Sequence, residues 1–199
     1  MKIKLWRLFF PVLSLLLVSF SFLPARAGDA IVLDAADPLT VEAPLEVVGV
    51  AEAPLAFRDT LAKGLAGETF LQVAQGKGNP PKVTTGLATY AFTIENPGVY
   101  YLWCRVWWMD ECGNSFFMHI DDANPFVFGE GSTFKTWHWV RAPLRLKQLT
   151  LGPGPHTLTL RNREDGVALN QILLTPDKAY VPVGVEPITP APSPSPRHE

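Results

Sequence analysis

The sequence predicts an all-β fold, a β-sandwich of two packed antiparallel sheets. From Asn96 to Gly184 it runs through NPGVYYLWCRVWW, GNSFFMHIDD, TWHWV, LTLGPGPHTLTL and REDGVALNQILLT, short segments of alternating character bounded by turn residues. No segment keeps helix periodicity over a useful length, and the strand-helix-strand rhythm of a parallel sheet is absent. No internal repeat appears either, so two antiparallel sheets are the economical arrangement.

The elements follow in order. Lys2, Lys4 and Arg7 precede an apolar run from Phe9 to Leu23 that ends in Ala25-Arg26-Ala27, the pattern of a secretory signal peptide over residues 1–27. Pro11 interrupts the run, which is also short for a membrane span. Export places the mature chain in the periplasm, at the cell surface or outside the cell.

Cleavage after Ala27 removes four basic side chains and no acidic one. That leaves 13 of the 17 Lys and Arg against 19 Asp and Glu, a net charge of about −6. An acidic domain without a Lys/Arg cluster is a poor binder of phosphate backbones, which sets nucleic acid aside.

Residues 28–185 make one domain, long enough for a single sandwich core. AIVLDAADPLTVEAPLEVVG reads as short edge strands broken by Pro38 and Pro44. EAPLAFRDTLAKGLAGETFLQV is the one place where a helix starts, and Gly64 and Gly67 keep it short. Tyr90, Phe92 and Ile94 then alternate with Thr89, Ala91 and Thr93, as a half-buried strand requires. In VYYLWCRVWW, Tyr100, Leu102, Cys104 and Val106 form the core face, and Tyr101, Trp103, Arg105 and Trp107 the other. Trp103 and Trp107 flank Arg105 and suit a guanidinium packed on indole. Phe116, Met118 and Ile120 alternate with Phe117 and His119, Leu158 and Leu160 with Thr157 and Thr159, and Ile172 to Leu174 form the last buried strand. Residues 186–199 are proline-rich and poor in apolar side chains, the composition of a disordered tail or spacer.

Only Cys104 and Cys112 are present, in an exported chain where a disulfide persists. They either clip the intervening loop or leave Cys104 as a buried free thiol. Their spacing does not make a zinc site.

Motifs for nucleophilic catalysis, phosphate cradling and zinc hydrolysis are missing. Asp110-Glu111 and Glu164-Asp165 are loop carboxylate pairs, which are solvated charges or turn formers more often than acid/base pairs. His119, His138 and His156 lack ligand spacing. The aromatic residues are the better lead. Sugar rings stack an apolar face on indole while their hydroxyls pair with planar polar groups. Trp107, Trp108 and Trp137 with Arg163, Glu164 and Asp165 therefore form the candidate ligand set, with Trp107 or Trp108 partly exposed and Trp139 in the core.

The ordered pieces LDAAD, AGETFLQV, GVYYLWCRV, NSFFMHIDD, TWHWV, LGPGPHTLTL and GVALNQILLT span Ile31 to Thr175. In this order they resemble the galactose-binding-like β-sandwich of carbohydrate-binding modules of the sixth and thirty-fifth families. The resemblance implies a jelly roll that binds glycans without catalysis, through loops at one end or a sheet face. It also implies a structural calcium, for which Asp34 and Asn170 are the matching positions; Ala36 stands at the second acidic position, and the alternative is a hydrogen bond between the two. Trp137 matches the loop aromatic of the family's sugar site, whereas Ala168 stands where the family has Asn.

The expected function is thus a secreted, non-catalytic carbohydrate-binding domain whose partner is a glycan or cell-surface polysaccharide. The alternative is a structural or interaction subunit of an extracellular assembly, with the aromatic strands as a protein interface.

Overall fold

The computed structural model describes residues 30–78, 85–143 and 149–189. The signal peptide read over residues 1–27 and the tail beyond Thr189 lie outside the described residues. Two antiparallel sheets pack face to face, as expected. Sheet A has seven strands: β1 (Ile31–Asp34), β3 (Leu45–Gly49), β4 (Thr69–Val73), β6 (Gly98–Trp108), β9 (His138–Arg141), β10 (Leu149–Leu151) and β12 (Val167–Thr175). Sheet B has five, in the order β2 (Thr40–Glu42), β5 (Leu87–Ile94), β11 (Gly154–Arg161), β7 (Ser115–Ile120) and β8 (Phe126–Gly129). In sheet A, β12 lies between β6 on one side and β4 and β1 on the other.

Alternation places the core. Tyr100, Leu102, Cys104 and Val106 of β6 point between the sheets, and strict parity carries Trp108 inward with them. They face Tyr90, Phe92 and Ile94 of β5, Phe116, Met118 and Ile120 of β7, and Leu158 and Leu160 of β11. Each such side chain contributes about 1.5–3 kcal/mol by leaving water. Cys104 lies fully inside this core, where burial pushes its thiol pKa well up, and Cys112 is exposed in the loop after β6. Both thiols are unpaired in this structure.

A second apolar layer covers the outer face of sheet A. A 3-10 turn (Val50–Glu52) leads into helix α1 (Leu55–Ala62). Leu61 packs there with Phe70, Trp107, Met109, Trp137 and Ala168, joined by half-buried Phe57 and Leu65. Of the residues outward on β6, Arg105 and Trp107 are therefore buried, while Tyr101 and Trp103 stay half-buried.

The chain after β12 is a further cover. The Gln171 amide donates to the Glu186 carbonyl (2.7 Å) and accepts from the Glu186 N–H (3.0 Å). The Trp139 indole donates to the Gly184 carbonyl (2.9 Å), and Thr189 exchanges bonds with both backbone groups of Val32 on the free edge of β1. Residues 186–189, read from composition as part of a disordered tail, are thus tied to sheet A by side-chain and edge bonds that composition does not reveal. Ending the chain after Val185 removes the Gln171 pair and the Thr189 pairing. At roughly 1 kcal/mol net per bond, the expected loss is about 2–4 kcal/mol of unfolding free energy, seen as a lower urea midpoint. An unchanged midpoint would show that these residues add nothing.

One ion pair ties β11 to the turn after β7. His156 Nδ1 lies 2.7 Å from Asp121 Oδ2, His156 Nε2 lies 2.9 Å from the Gly152 carbonyl, and the ring stacks on Phe92. Acceptors at both nitrogens favour the doubly protonated ring. Burial alone would lower the His156 pKa, but the bonds to Asp121 and Gly152 and the Asp121 charge outweigh it and raise the pKa. Burial would raise Asp121, but the Thr157 N–H and His156 outweigh it and lower that pKa. The histidine contribution is present below the unfolded value near 6.5 and is lost as pH rises through the raised folded value; the aspartate contribution is present above its unfolded value and is lost in acid. Thermal midpoints should therefore decline as pH rises past 6.5, and His156→Gln should flatten that decline. Equal slopes in the two proteins would refute the assignment.

Candidate functional site

The predicted ligand residues fall on two different surfaces. Trp107 and Trp108 end β6, Trp137 immediately precedes β9, and all three are buried, at 2%, 0% and 8% exposure. Trp108 points into the sandwich against Phe116 (ring centroids 5.7 Å apart). Trp107 packs edge-on against Phe57 (6.0 Å) beneath α1. Trp137 packs edge-on against Phe70 and donates its indole N–H to the Leu61 carbonyl (2.6 Å) at the end of that helix. None of the three offers a face to a sugar, and the expected partial exposure of Trp107 or Trp108 is corrected. Trp139, expected in the core, is outward on β9 opposite Arg105 and half-buried.

The cavity between α1 and the end of sheet A, lined by Phe57, Leu61, Trp107, Met109, Gly166 and Ala168 among others, holds 30 Å³. That is room for about one water, whereas ligand pockets run to about 300–1,000 Å³. Among the described residues, this cavity beside Ala168 is too small for a sugar.

Arg105 is not sandwiched between Trp103 and Trp107. Its guanidinium lies 5.7 Å over Trp137, and Arg141 takes the expected stacking role between Tyr101 (4.6 Å) and Trp103 (5.6 Å).

Asn170 owes its position to a β-bulge. Leu169 pairs with Val106 and Gln171 with Arg105, so Asn170 and Gln171 together oppose one residue. Asn170 Oδ1 accepts from Arg105 (2.9 Å) and the Ala66 N–H (3.2 Å), and Nδ2 donates to the Ala66 carbonyl (3.1 Å). Asp34 Oδ1 accepts from the Ala36 N–H (2.9 Å). A hard cation needs several free oxygens; here the amide oxygen is occupied by a guanidinium, whose positive charge opposes a second cation. Asp34 and Asn170 do not fit a calcium site, and no group of three or more His, Cys, Asp or Glu able to hold a metal occurs among the described residues.

Arg163, Glu164 and Asp165 lie in the turn from β11 to β12, which passes from sheet B to sheet A. Arg163 pairs with Glu164 and bonds Ser115, and Glu164 also accepts from the Ser115 hydroxyl and the Asn114 N–H. Asp165 accepts from the Gly76 N–H, across to the loop after β4. The turn is thereby pinned, and its charges have protein partners.

This network borders a surface absent from the predicted set. On the outer face of sheet B, register aligns Thr40, Thr89, Thr159 and His119 in one row, with the Thr40 and Thr89 hydroxyls 2.6 Å apart. The next row is Glu42, Leu87, Arg161, Phe117 and Val127. Phe117 is 36% exposed, and the Arg163 guanidinium lies 5.9 Å from its ring. Burial, then the Arg161 charge, lower the His119 pKa against the opposing pull of Asp122. The alternation of SFFMHI places Phe117 and His119 outward, but a lone phenylalanine carries no sequence signal that marks it as a site.

No family model matches the sequence, and no curated relative does. Solved structures do share its shape. The GH26-CBM35 β-(1,4)-mannanase of Podospora anserina matches with a TM-score of 0.54 at 15% identity, covering 80% of this chain and 30% of that one. Isomalto-dextranase of Arthrobacter globiformis T6 complexed with panose gives 0.50 at 18% identity, covering 76% of this chain and 24% of that one. The carbohydrate-binding module CBM6cm-2 of Cellvibrio mixtus lichenase 5A, in complex with cellotriose, gives 0.50 at 14% identity, over 73% of this chain and 96% of the module. The chain thus spans under a third of each of the two enzymes and nearly all of the isolated module. In fold, it is a β-sandwich of the kind found in carbohydrate-binding modules of families 6 and 35.

Proposed function

We propose that this chain is a secreted, non-catalytic carbohydrate-binding domain whose glycan lies on the outer face of sheet B, with Phe117 as its stacking platform. The observation that carries the reading is the exposed Phe117 ring, paired in register with Arg161 and with the Arg163 guanidinium 5.9 Å from it, on a face that also carries the Thr40 and Thr89 hydroxyls, in a fold shared with carbohydrate-binding modules. An aromatic face takes the C–H side of a sugar ring, and charged planar groups at its rim bond the hydroxyls. Arg163 and Glu164 remain in the proposed site as the rim beside Phe117; the tryptophans serve the core. Nothing in this constellation requires a metal.

The test is a glycan-array screen of the mature chain with calcium and with chelator, followed by titration of the best ligand. Binding indifferent to chelator is expected, with Phe117→Ala weakening it tenfold or more while the thermal midpoint stays within a few degrees. Unchanged affinity in Phe117→Ala would remove this face as the site. An empty array would shift the reading to a protein-interaction subunit.

A further inference from the structure

A groove of 690 Å³ opens between the edges of the two sheets along the β2 side of β5, and its lining also includes Pro155 of β11 and Tyr100 of β6. One wall is strand edge. β2 pairs with β5 only over Leu87–Thr89, and the Leu39 N–H bond to the Thr89 carbonyl (2.7 Å) closes that pairing. The backbone groups of Thr89 point towards β2, so by parity those of Ala91 and Thr93 point the same way, into the groove. Among the described residues no strand pairs with them.

Ile31 and Leu33 of β1 form the opposite wall, with Phe92 between, and the last described residue, Thr189, sits at the rim. The ionisable carboxylates in the lining are Asp34, Asp37 and Glu95, and the lining holds no Lys, Arg or His. Asp37 and Glu95 are exposed.

An unpaired edge recognises an extended chain by main-chain hydrogen bonds, and pockets beside it select alternate side chains. Uncompensated carboxylates select the sign of charge. We propose that this groove binds an extended basic segment of a partner protein by strand addition to β5, with apolar side chains against Leu33 and Phe92 and Lys or Arg beside Asp37 and Glu95. The exposed Leu39 at the mouth extends the apolar strip that such a segment would cover. The glycan face is a different surface, the outer face of sheet B at Phe117, so this proposal stands apart from the carbohydrate reading.

The probe is a fluorescein-labelled peptide alternating Lys and Val, titrated by anisotropy against the mature full-length chain. Its Glu-Val counterpart and a chitosan oligosaccharide serve as comparisons. Saturable binding of the Lys peptide alone is expected, weakening with added salt. Asp37→Lys with Glu95→Lys should weaken it at least tenfold, and the neutral pair Asp37→Asn with Glu95→Gln by a smaller factor. Ala91→Pro, which removes one N–H aimed into the groove, should weaken it as well. The exposed Asp and Glu positions keep the test usable if the proline variant does not fold. Absence of saturable binding, equal binding of the Glu peptide, or indifference to the charge variants would overturn the proposal. Chitosan binding as tightly as the peptide would assign the groove to a cationic glycan instead.

Discussion

Trp108→Ala is expected to cost about 3–5 kcal/mol of stability and to leave glycan affinity of the folded protein unchanged. Trp108 is fully buried, stacked at a tilt on Phe116 and edge-on to His138, and its removal opens a cavity that β6 and β7 cannot close without shifting their ladders. In a domain of this size that is a fall of about 10 °C or more in thermal midpoint. Trp107→Ala should also destabilise, by a different route: the ring it loses is what Phe57 of α1 rests on, so the helix loosens before the sandwich melts. Calorimetry and glycan titration on the same samples separate the two roles. A tryptophan variant that keeps its midpoint and loses glycan binding would return the site to sheet A and remove Phe117 from it.

The tryptophans mark the limit of what the sequence discloses. Period-two alternation correctly divided VYYLWCRVWW, and following it one step further puts Trp108 inside with Val106. What alternation cannot disclose is whether an outward face meets water. Trp107 is outward and still buried, because an eight-residue helix whose only buried residue is Leu61 covers it. A helix so short and weakly amphipathic carries little pattern to read. The segment around Glu186 escapes a compositional reading for a related reason: Gln171, Trp139 and Val32 hold it by individual hydrogen bonds, which leave no periodic trace. Asn170 is marked by the family resemblance alone, and its role depends on a bulge. That extra residue returns Ile172 and Leu174 to the inner face, and only the pairing of β12 with β6 reveals it.

Asn170→Ala is accordingly expected to destabilise by about 3 kcal/mol, more than its small size suggests. Arg105 is 5% exposed, burial lowers its pKa, and its guanidinium has two polar contacts: Asn170 Oδ1 and the Gly64 carbonyl at 2.6 Å. The Trp137 ring face supplies the remaining stabilisation. Deleting the amide strips a buried cation of one acceptor and also frees both backbone groups of Ala66, and unmet buried groups cost far more than the net worth of the bonds they lose. Asn170→Asp separates these effects. It keeps an acceptor for Arg105 and adds a carboxylate charge beside it, while giving up the donor to Ala66. At neutral pH it should lie between the native protein and Asn170→Ala. The guanidinium should hold the new carboxyl below its unfolded pKa, so the advantage over Asn170→Ala is present above that value and vanishes as pH falls through the folded one. Urea midpoints of the three proteins at pH 7 and pH 3, each referred to the native protein at the same pH, measure this directly. If Asn170→Ala fell within 1 kcal/mol of the native protein, Arg105 would have to be held mainly by Gly64 and Trp137, and the bulge would lose its explanation as the device that brings Asn170 to it.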